Sequence, residues 1–164
     1  MLSVEVTLAV MGAAEGSWYS VPGSSKDVRY SASFANSNSG LSFGVFQFDV
    51  ATNGAGQVGF REILKIGVDN KVIDQTSADR IFVEAATRNA RAKLSQNDVQ
   101  LANSALKVLL SRAIVDRLDR ARAVTEATNV GQMISRAATR WSAKGIAVGP
   151  VLTDKSKENI TLSA

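Results

Sequence analysis

Glu15 is the side chain whose setting best suits acid catalysis. It follows an apolar run and lies between the small residues Ala14 and Gly16, a few positions before Trp18 and Tyr19. Cleavage of a glycosidic bond needs a proton donor whose pKa is raised by partly apolar surroundings. Small neighbours leave room for a substrate and aromatic rings exclude water, so Glu15 is a candidate general acid. The alternative is an ordinary glutamate near a helix C-terminus, although the helix dipole disfavours a negative charge there.

Asp27 and Asp49 are the candidates for a second catalytic carboxylate. Between Glu15 and Asp49 the only other acid is Asp27. Asp27 follows a Ser/Gly-rich loop, where a solvated side chain is the simpler interpretation. Asp49 ends an apparent strand, and it is either the catalytic partner or a strand-end or helix-cap residue. We favour Asp49, because a rigid position holds a charge near a developing cation better than a loop does.

The composition excludes several kinds of active site. The 164 residues include no cysteine and no histidine, which removes disulfides, thiolate ligands and the commonest general base. We therefore expect no metal and no cofactor, and any chemistry must rest on carboxylates, hydroxyls, amides or cationic side chains. The net charge of +4 favours polyanionic surroundings such as nucleic acid, anionic lipid or an acidic cell wall, without choosing among them.

A helix, a small hairpin and a helical lobe are predicted to position these residues. Apolar residues at helical spacing predict an N-terminal helix over 4–14, buried on most sides. Alternating apolar residues on both sides of a polar turn predict one hairpin over about 28–48. A helical lobe over about 57–150 and a polar tail over 153–164 follow. The length fits one domain over 1–164, with an α+β, mostly α fold.

Three further sequence signals predict helices within the lobe. Ser77 is predicted as the N-cap of a helix that presents Ile81 to the core. The clearest amphipathic stripe includes Leu106, Leu109 and Leu110 and continues towards Leu118. A last helix is predicted over 130–143, with Met133, Ile134, Ala137 and Trp141 on one side.

The order of these features resembles the lysozyme-like superfamily, which includes phage endolysins, bacterial muramidases and lytic transglycosylases. In many members a glutamate at a helix end is followed by a strand of the type Ser-x-Gly-x-x-Gln, present here as Ser42-Phe-Gly44-Val-Phe-Gln47. The resemblance implies a lysozyme-like fold and a glycosidase that cuts β-1,4 bonds between amino sugars of peptidoglycan. It also implies that Glu15 is the general acid and that Ser42 and Gln47 line the cleft.

Several roles stay open within this resemblance. Gln47 either hydrogen-bonds an N-acetyl group or satisfies backbone at the hairpin edge, and Trp18 and Tyr19 either stack on sugar rings or join the core. The Asp and Thr that follow the glutamate in phage-type enzymes have no counterpart, since position 24 is Ser24. The sequence therefore leaves hydrolysis and transglycosylation as alternatives.

Rival interpretations concern partners other than the cell wall. A non-catalytic helical binding module is the main alternative, and a chitin or chitosan hydrolase is a second, disfavoured for chitosan because both partners would be cationic. The arginines over 112–140 are interleaved with Asp116, Asp119 and Glu126, which is typical of a solvated helix face, so no nucleic acid is expected.

No stretch is long and apolar enough to span a membrane. The N-terminus lacks the basic region of a signal peptide, so action on the wall would need another route of export.

Overall fold

The computed structural model describes residues 3–14 and 28–143, which form a mostly helical fold with a small two-stranded sheet. This confirms the predicted α+β, mostly α class and the N-terminal helix. Four residues predicted to belong to the site lie outside the described residues, namely Glu15, Trp18, Tyr19 and Asp27. In chain order the elements are α1 (Val4–Ala14), a 3₁₀ helix (Val28–Tyr30), β1 (Ser42–Phe43), β2 (Phe48–Asp49), α2 (Gly54–Asp69), α3 (Gln75–Ala85), α4 (Ala90–Lys93), α5 (Gln96–Lys107) and α6 (Leu109–Ala143).

The sheet is shorter than predicted and lies later in the chain. β1 and β2 pair antiparallel, with Phe43 opposite Phe48. Residues 28–30, predicted as strand, form the 3₁₀ helix, and only Ser33 pairs with β1, through a bridge to Ser42. Within the predicted second strand, Gly44 has a φ of +79° and begins a tight turn. The hairpin is therefore the Ser42–Asp49 segment itself.

An aromatic cluster connects the hairpin to the helices. The rings of Phe43 and Phe48 have centroids 5.9 Å apart, and Phe43 is also 5.9 Å from Phe60 of α2. All three side chains are buried, with Ile63 of α2 and Leu106 of α5 in the same core. Because Phe43 and Phe48 point into this core, neighbouring positions of the two strands point to the opposite face of the sheet.

The N-terminal helix lies on the long helix α6. α1 packs against α6, and Glu5 of α1 forms an ion pair with Arg120 at 3.3 Å. The prediction that this helix is buried on most sides was wrong, because among residues 3–11 only Thr7 is buried and most others are half-buried. α1 is therefore a surface helix, held by one face against α6.

Two helix boundaries in the lobe differ from the sequence pattern. The N-cap of α3 is Asp74, not Ser77, because the Asp74 carboxylate accepts hydrogen bonds from the Ser77 backbone N–H at 2.9 Å and the Ser77 hydroxyl at 2.6 Å. The predicted stripe through Leu106 and Leu109 is interrupted at Val108, whose extended backbone (ψ 135°) ends α5. The break changes the helix register, which leaves Leu109 79% exposed.

Helix α6 is longer than the sequence pattern indicates. The helix predicted over 130–143 is the end of this 35-residue helix. Buried side chains recur at every fourth position along its first half, at Ser111, Val115, Asp119, Ala123 and Ala127. This spacing defines the face of α6 that packs on the rest of the fold.

Candidate functional site

Three polar side chains lie in register across the face of the sheet opposite the phenylalanine core. Ser42 pairs with Asp49 on one side and with Ser33 on the other. Directly opposed residues of antiparallel strands project to the same face. Ser33, Ser42 and Asp49 therefore form a row, which we call the polar row. The structure thus brings together two of the predicted site residues, Ser42 and Asp49.

The hydrogen bonding shows how close Ser42 and Asp49 are. Ser42 exchanges both backbone hydrogen bonds with Ser33, at 2.8 and 2.9 Å. Its pairing with Asp49 is consequently of the non-hydrogen-bonded kind, in which the two Cα atoms are about 4.5 Å apart and the side chains are close.

Ser42 carries a polar group that the fold leaves unsatisfied. Its side chain is 1% exposed, and its Oγ has no hydrogen-bond partner among the residues that the structure describes. A buried hydroxyl without a partner is destabilising and calls for an explanation, which in native proteins is often a functional one. The predicted role of Ser42 in lining a cleft stays a prediction, and this hydroxyl is the feature that bears on it.

Asp49 is half-buried at the end of β2 and has a structural task as well. Its Oδ1 accepts a hydrogen bond from the Ala51 N–H at 2.7 Å, and its carbonyl oxygen accepts one from the Asn53 N–H at 2.8 Å. Gly40 leaves the space that the carboxylate occupies, since a Cβ there would lie 2.5 Å from Oδ1. Oδ2 makes no hydrogen bond to the described part of the chain and is available to a ligand.

Gln47 occupies a strained position at the tip of the hairpin. Its φ is +46°, an uncommon value for a residue with a side chain. Its backbone N–H donates to the Gly44 carbonyl oxygen at 3.1 Å, which closes the four-residue turn. Within the described residues the Gln47 side-chain amide bonds to no backbone group, so the alternative in which it satisfies the hairpin edge is not observed.

Asp119 of α6 holds the turn in place. The Phe46 backbone N–H donates to Asp119 Oδ1 at 3.3 Å. Asp119 is 3% exposed, and within residues 3–14 and 28–143 its Oδ2 has no hydrogen-bond partner. The acid therefore attaches the Ser42–Asp49 hairpin to the middle of the longest helix.

Burial raises the pKa of Asp119 to about 6, since it removes the ionised form from water. The Val45 and Phe46 N–H groups lower this pKa, Asp116 raises it and Arg29 lowers it, all by less than the effect of burial. The folded protein thus binds the Asp119 proton more tightly than the unfolded chain does. Stability contributed by this group is present at acid pH and is lost as the pH rises from about 4 to about 7.

Replacing Asp119 by asparagine is expected to abolish this part of the pH dependence. The amide oxygen can still accept the Phe46 N–H, and no desolvated charge remains. Wild type should lose roughly 2 to 3 kcal/mol of its free energy of unfolding between about pH 4 and pH 7 relative to Asp119→Asn. Urea unfolding across this pH range measures the difference in the free energy of unfolding. Asp69→Asn, at an exposed position, is the control. Parallel pH profiles for wild type and Asp119→Asn would contradict the assignment.

Asp119 was missed by the sequence pattern, which placed it on a solvated face. That interpretation holds for its neighbours, because Arg120 pairs with Glu5 and Arg122 pairs with Glu126 at 2.6 Å, both near the surface. The sequence signal that could have identified Asp119 as buried was its spacing from apolar residues. Asp119 lies four residues from the apolar Val115 on one side and four residues from Ala123 on the other, in the buried stripe of α6.

Comparison with known proteins identifies no relative. No protein-family model, curated protein or solved structure matches this chain. Within residues 3–14 and 28–143, no group of three or more acidic, histidine or cysteine side chains is placed to hold a metal ion. None of the described helices is both long and apolar enough to cross a membrane.

Proposed function

We propose that this chain is a peptidoglycan-cleaving glycosidase with a lysozyme-like fold, in which Glu15 is the general acid. The observation that carries the proposal is the polar row beside the strained turn. On one sheet face, half-buried Asp49 has an Oδ2 that makes no hydrogen bond to the described residues, buried Ser42 lies beside it, and Gln47 lies at the hairpin tip. The Asp49 carboxylate and the Gln47 amide can hydrogen-bond an amino sugar, and Asp49 can also stabilise positive charge at its anomeric carbon.

Glu15 follows the described residues of α1 in sequence. Glu5, in the first turn of α1, pairs with Arg120 of α6, and the neighbouring Asp119 holds the hairpin turn. This contact joins the start of α1 to the stretch of α6 that holds the hairpin. The assignment of Glu15 as the acid rests on the sequence motif.

In the proposed reaction, Glu15 protonates the oxygen that leaves the glycosidic bond. Asp49 stabilises the oxocarbenium-like centre, as a nucleophile or by activating a water, and the water completes hydrolysis. Trp18 and Tyr19 are proposed to stack on the sugar rings. No metal or cofactor takes part in this scheme.

Purified full-length protein incubated with isolated cell-wall sacculi tests the proposal. We expect a fall in turbidity and release of muropeptides with new reducing ends, detected by mass spectrometry. Intact sacculi after prolonged incubation with folded protein would contradict it.

A transglycosylase is the second candidate, favoured because the Asp49 carboxylate already accepts a backbone hydrogen bond. Because Asp49 Oδ1 holds the Ala51 N–H, the carboxylate already has a structural task. If it does no more than that, the substrate's own N-acetyl group stabilises the anomeric carbon once Glu15 has protonated the leaving oxygen. The C6 hydroxyl of the same sugar then attacks that carbon and gives its proton back to Glu15, which yields a 1,6-anhydro product. Asp49→Asn keeps the acceptor oxygen, so the variant should fold.

We expect Asp49→Asn to lower turnover by about tenfold or more, and Asp27→Asn to lower it less, with reducing ends as the product. The assay is muropeptide release per minute, with product masses. Full activity of both variants together with anhydro products would replace the hydrolase by a transglycosylase centred on Glu15.

A binding module without catalytic activity is the third candidate function. The exposed apolar residues of α6, Leu109, Leu110, Val124 and Met133, favour it. Binding to sacculi without any muropeptide release would select this function.

A further inference from the structure

Two leucines project from the corner between α5 and α6. Leu109 is 79% exposed and Leu110 is 63% exposed, next to Val108, which links the two helices. Single exposed apolar residues are common on protein surfaces, whereas two adjacent ones call for an explanation. The other exposed large apolar residues of the described chain do not adjoin one another in sequence, namely Val58, Val72, Val83, Val124 and Met133. We call the segment 107–112 the leucine corner.

The leucine corner carries positive charge and no acid. Lys107 and Arg112 lie on either side of the leucines, and both are exposed. Neither side chain forms an ion pair within the described part of the chain, and the sequence over 99–115 contains no Asp or Glu. Arg112 follows Leu109 by three residues, so the two share one side of α6. The Arg112 side chain also folds back over the corner, since its Nε donates to the Lys107 carbonyl oxygen at 3.2 Å.

Tyr30 adds an amphipathic ring beside the corner. The Arg112 guanidinium lies 5.1 Å from the centre of the Tyr30 ring, and that of the exposed Arg29 lies 5.5 Å from it. The Tyr30 hydroxyl donates to Asp116 at 2.8 Å, so the first acid of α6 is already engaged. Tyrosine and long cationic side chains are typical of the boundary between a bilayer and water, because each joins an apolar body to a polar end.

The backbone at the start of α6 reinforces this positive charge. The Val108 carbonyl oxygen accepts the first hydrogen bond of the helix, from the Arg112 N–H at 3.1 Å. The Val108 side chain has no acceptor with which to cap the helix, and the N–H groups of Leu109 and Leu110 make no hydrogen bond with the described residues. Open N–H groups and the positive end of the helix dipole both favour an anion such as a phosphate.

The size of the leucine corner discriminates between a protein partner and a membrane. A stable protein–protein interface buries about 800 Å² on each partner, whereas two leucines offer roughly 200 Å² of apolar area. A side chain as exposed as Leu109 also projects from the fold and forms no groove for a peptide. A bilayer surface accepts projecting apolar side chains without a matching shape, and its anionic headgroups attract cations.

We propose that the leucine corner docks this protein on the surface of an anionic lipid bilayer. Leu109 and Leu110 enter the boundary between headgroups and acyl chains, while Lys107 and Arg112 pair with lipid phosphates. Tyr30 lies at the level of the headgroups. The association is peripheral, because only side chains enter the lipid. The inference goes beyond the proposed glycosidase and needs neither its acid nor the polar row.

Sedimentation with lipid vesicles tests the proposal. The full chain is mixed with vesicles of phosphatidylcholine, alone or with an equal part of phosphatidylglycerol, and the bound fraction is measured against lipid concentration. We expect binding to the anionic vesicles to be at least about tenfold tighter than to the neutral ones. Leu109→Gln and Leu110→Gln should each weaken binding to the anionic vesicles about tenfold, and Lys107→Gln about fivefold. Because these side chains are exposed, the variants should keep the wild-type melting temperature.

Val83→Gln is the matched control for the leucine variants. Val83 is 60% exposed on α3. Arg80 of α3 pairs with Asp98 in the first turn of α5, which places α3 at the opposite end of α5 from the corner. The control should therefore bind both kinds of vesicle as wild type does.

A fluorescent label gives a second readout. The chain contains no cysteine, so Leu109→Cys creates a single site for a fluorophore whose emission shifts to the blue in apolar surroundings. We expect this shift when anionic vesicles are added to labelled Leu109→Cys protein, and no shift with Val83→Cys.

Equal binding of wild type and Leu109→Gln to the anionic vesicles would overturn the proposal, as would no binding by wild type. Equal binding to neutral and anionic vesicles would overturn anionic lipid as the partner. A wild-type dimer in analytical ultracentrifugation that Leu109→Gln dissociates would assign the corner to a second copy of the chain and overturn the membrane. Sacculus lysis is scored separately. Lysis without vesicle binding rejects the docking corner alone, and vesicle binding without lysis rejects the glycosidase alone.

Discussion

Glu15→Gln is expected to fold like wild type and to lose wall-lytic activity by about 10²-fold or more. Glutamine is close to glutamate in size and keeps a hydrogen-bonding oxygen, but it has no proton to give to the leaving sugar. The loss should appear in the rate of muropeptide release at saturating sacculi. Unchanged binding to sacculi would show that the chemical step was removed and that substrate recognition was kept.

Glu5→Gln is the matched control for this experiment. Glu5 lies on the same helix, and its ion pair with Arg120 is exposed, so its removal should cost at most about 1 kcal/mol. Near-normal lysis by folded Glu15→Gln protein would remove Glu15 from the mechanism. Equal losses in both variants would indicate that α1 is needed for structure and not for acid catalysis.

Local sequence patterns predicted the helices better than the hairpin, for a physical reason. The N-terminal helix predicted over 4–14 is present as α1, because a run of apolar residues at helical spacing favours helix formation locally. The strand over 41–48 was predicted from alternating apolar residues. The same alternation is compatible with the two short strands and the turn that are observed. Gly44 permits the turn through its φ of +79°, and a distant group, the Asp119 carboxylate, 73 residues from Phe46 in sequence, holds it in place. No local pattern contains that information.

The same limit applies to the candidate site. The resemblance selected Ser42, Gln47 and Asp49, and the structure places Ser42 and Asp49 side by side with Gln47 at the turn that joins their strands. Ser33 could not be selected, because its single bridge to Ser42 is a tertiary feature. The proposal that this site is catalytic depends on Glu15. The sequence motif is the argument for Glu15 as the acid.

Gly44→Val is expected to cause the largest loss of stability among the substitutions considered. At φ of +79° a β-branched side chain is strained, at a cost of about 1 to 3 kcal/mol. A Cβ would also lie 2.9 Å from the Phe48 ring and 3.1 Å from Asp119 Oδ1, and such overpacking costs a further 1 to 3 kcal/mol or so. The sum predicts a fall in melting temperature of about 10 °C or more for a chain of this size.

Gly131→Val is the control that separates the local geometry from the loss of a glycine. Gly131 lies inside α6 with nothing within 4 Å of its Cβ position, and valine has a slightly better helix propensity than glycine. Its melting temperature should therefore stay the same or rise. If the turn also positions the polar row, the Gly44→Val protein that remains folded at low temperature should lose lytic activity while Gly131→Val keeps it. Unchanged melting temperature and unchanged lysis in Gly44→Val would mean that neither Phe48 nor Asp119 depends on glycine at this turn, and the hairpin motif would then have no special role.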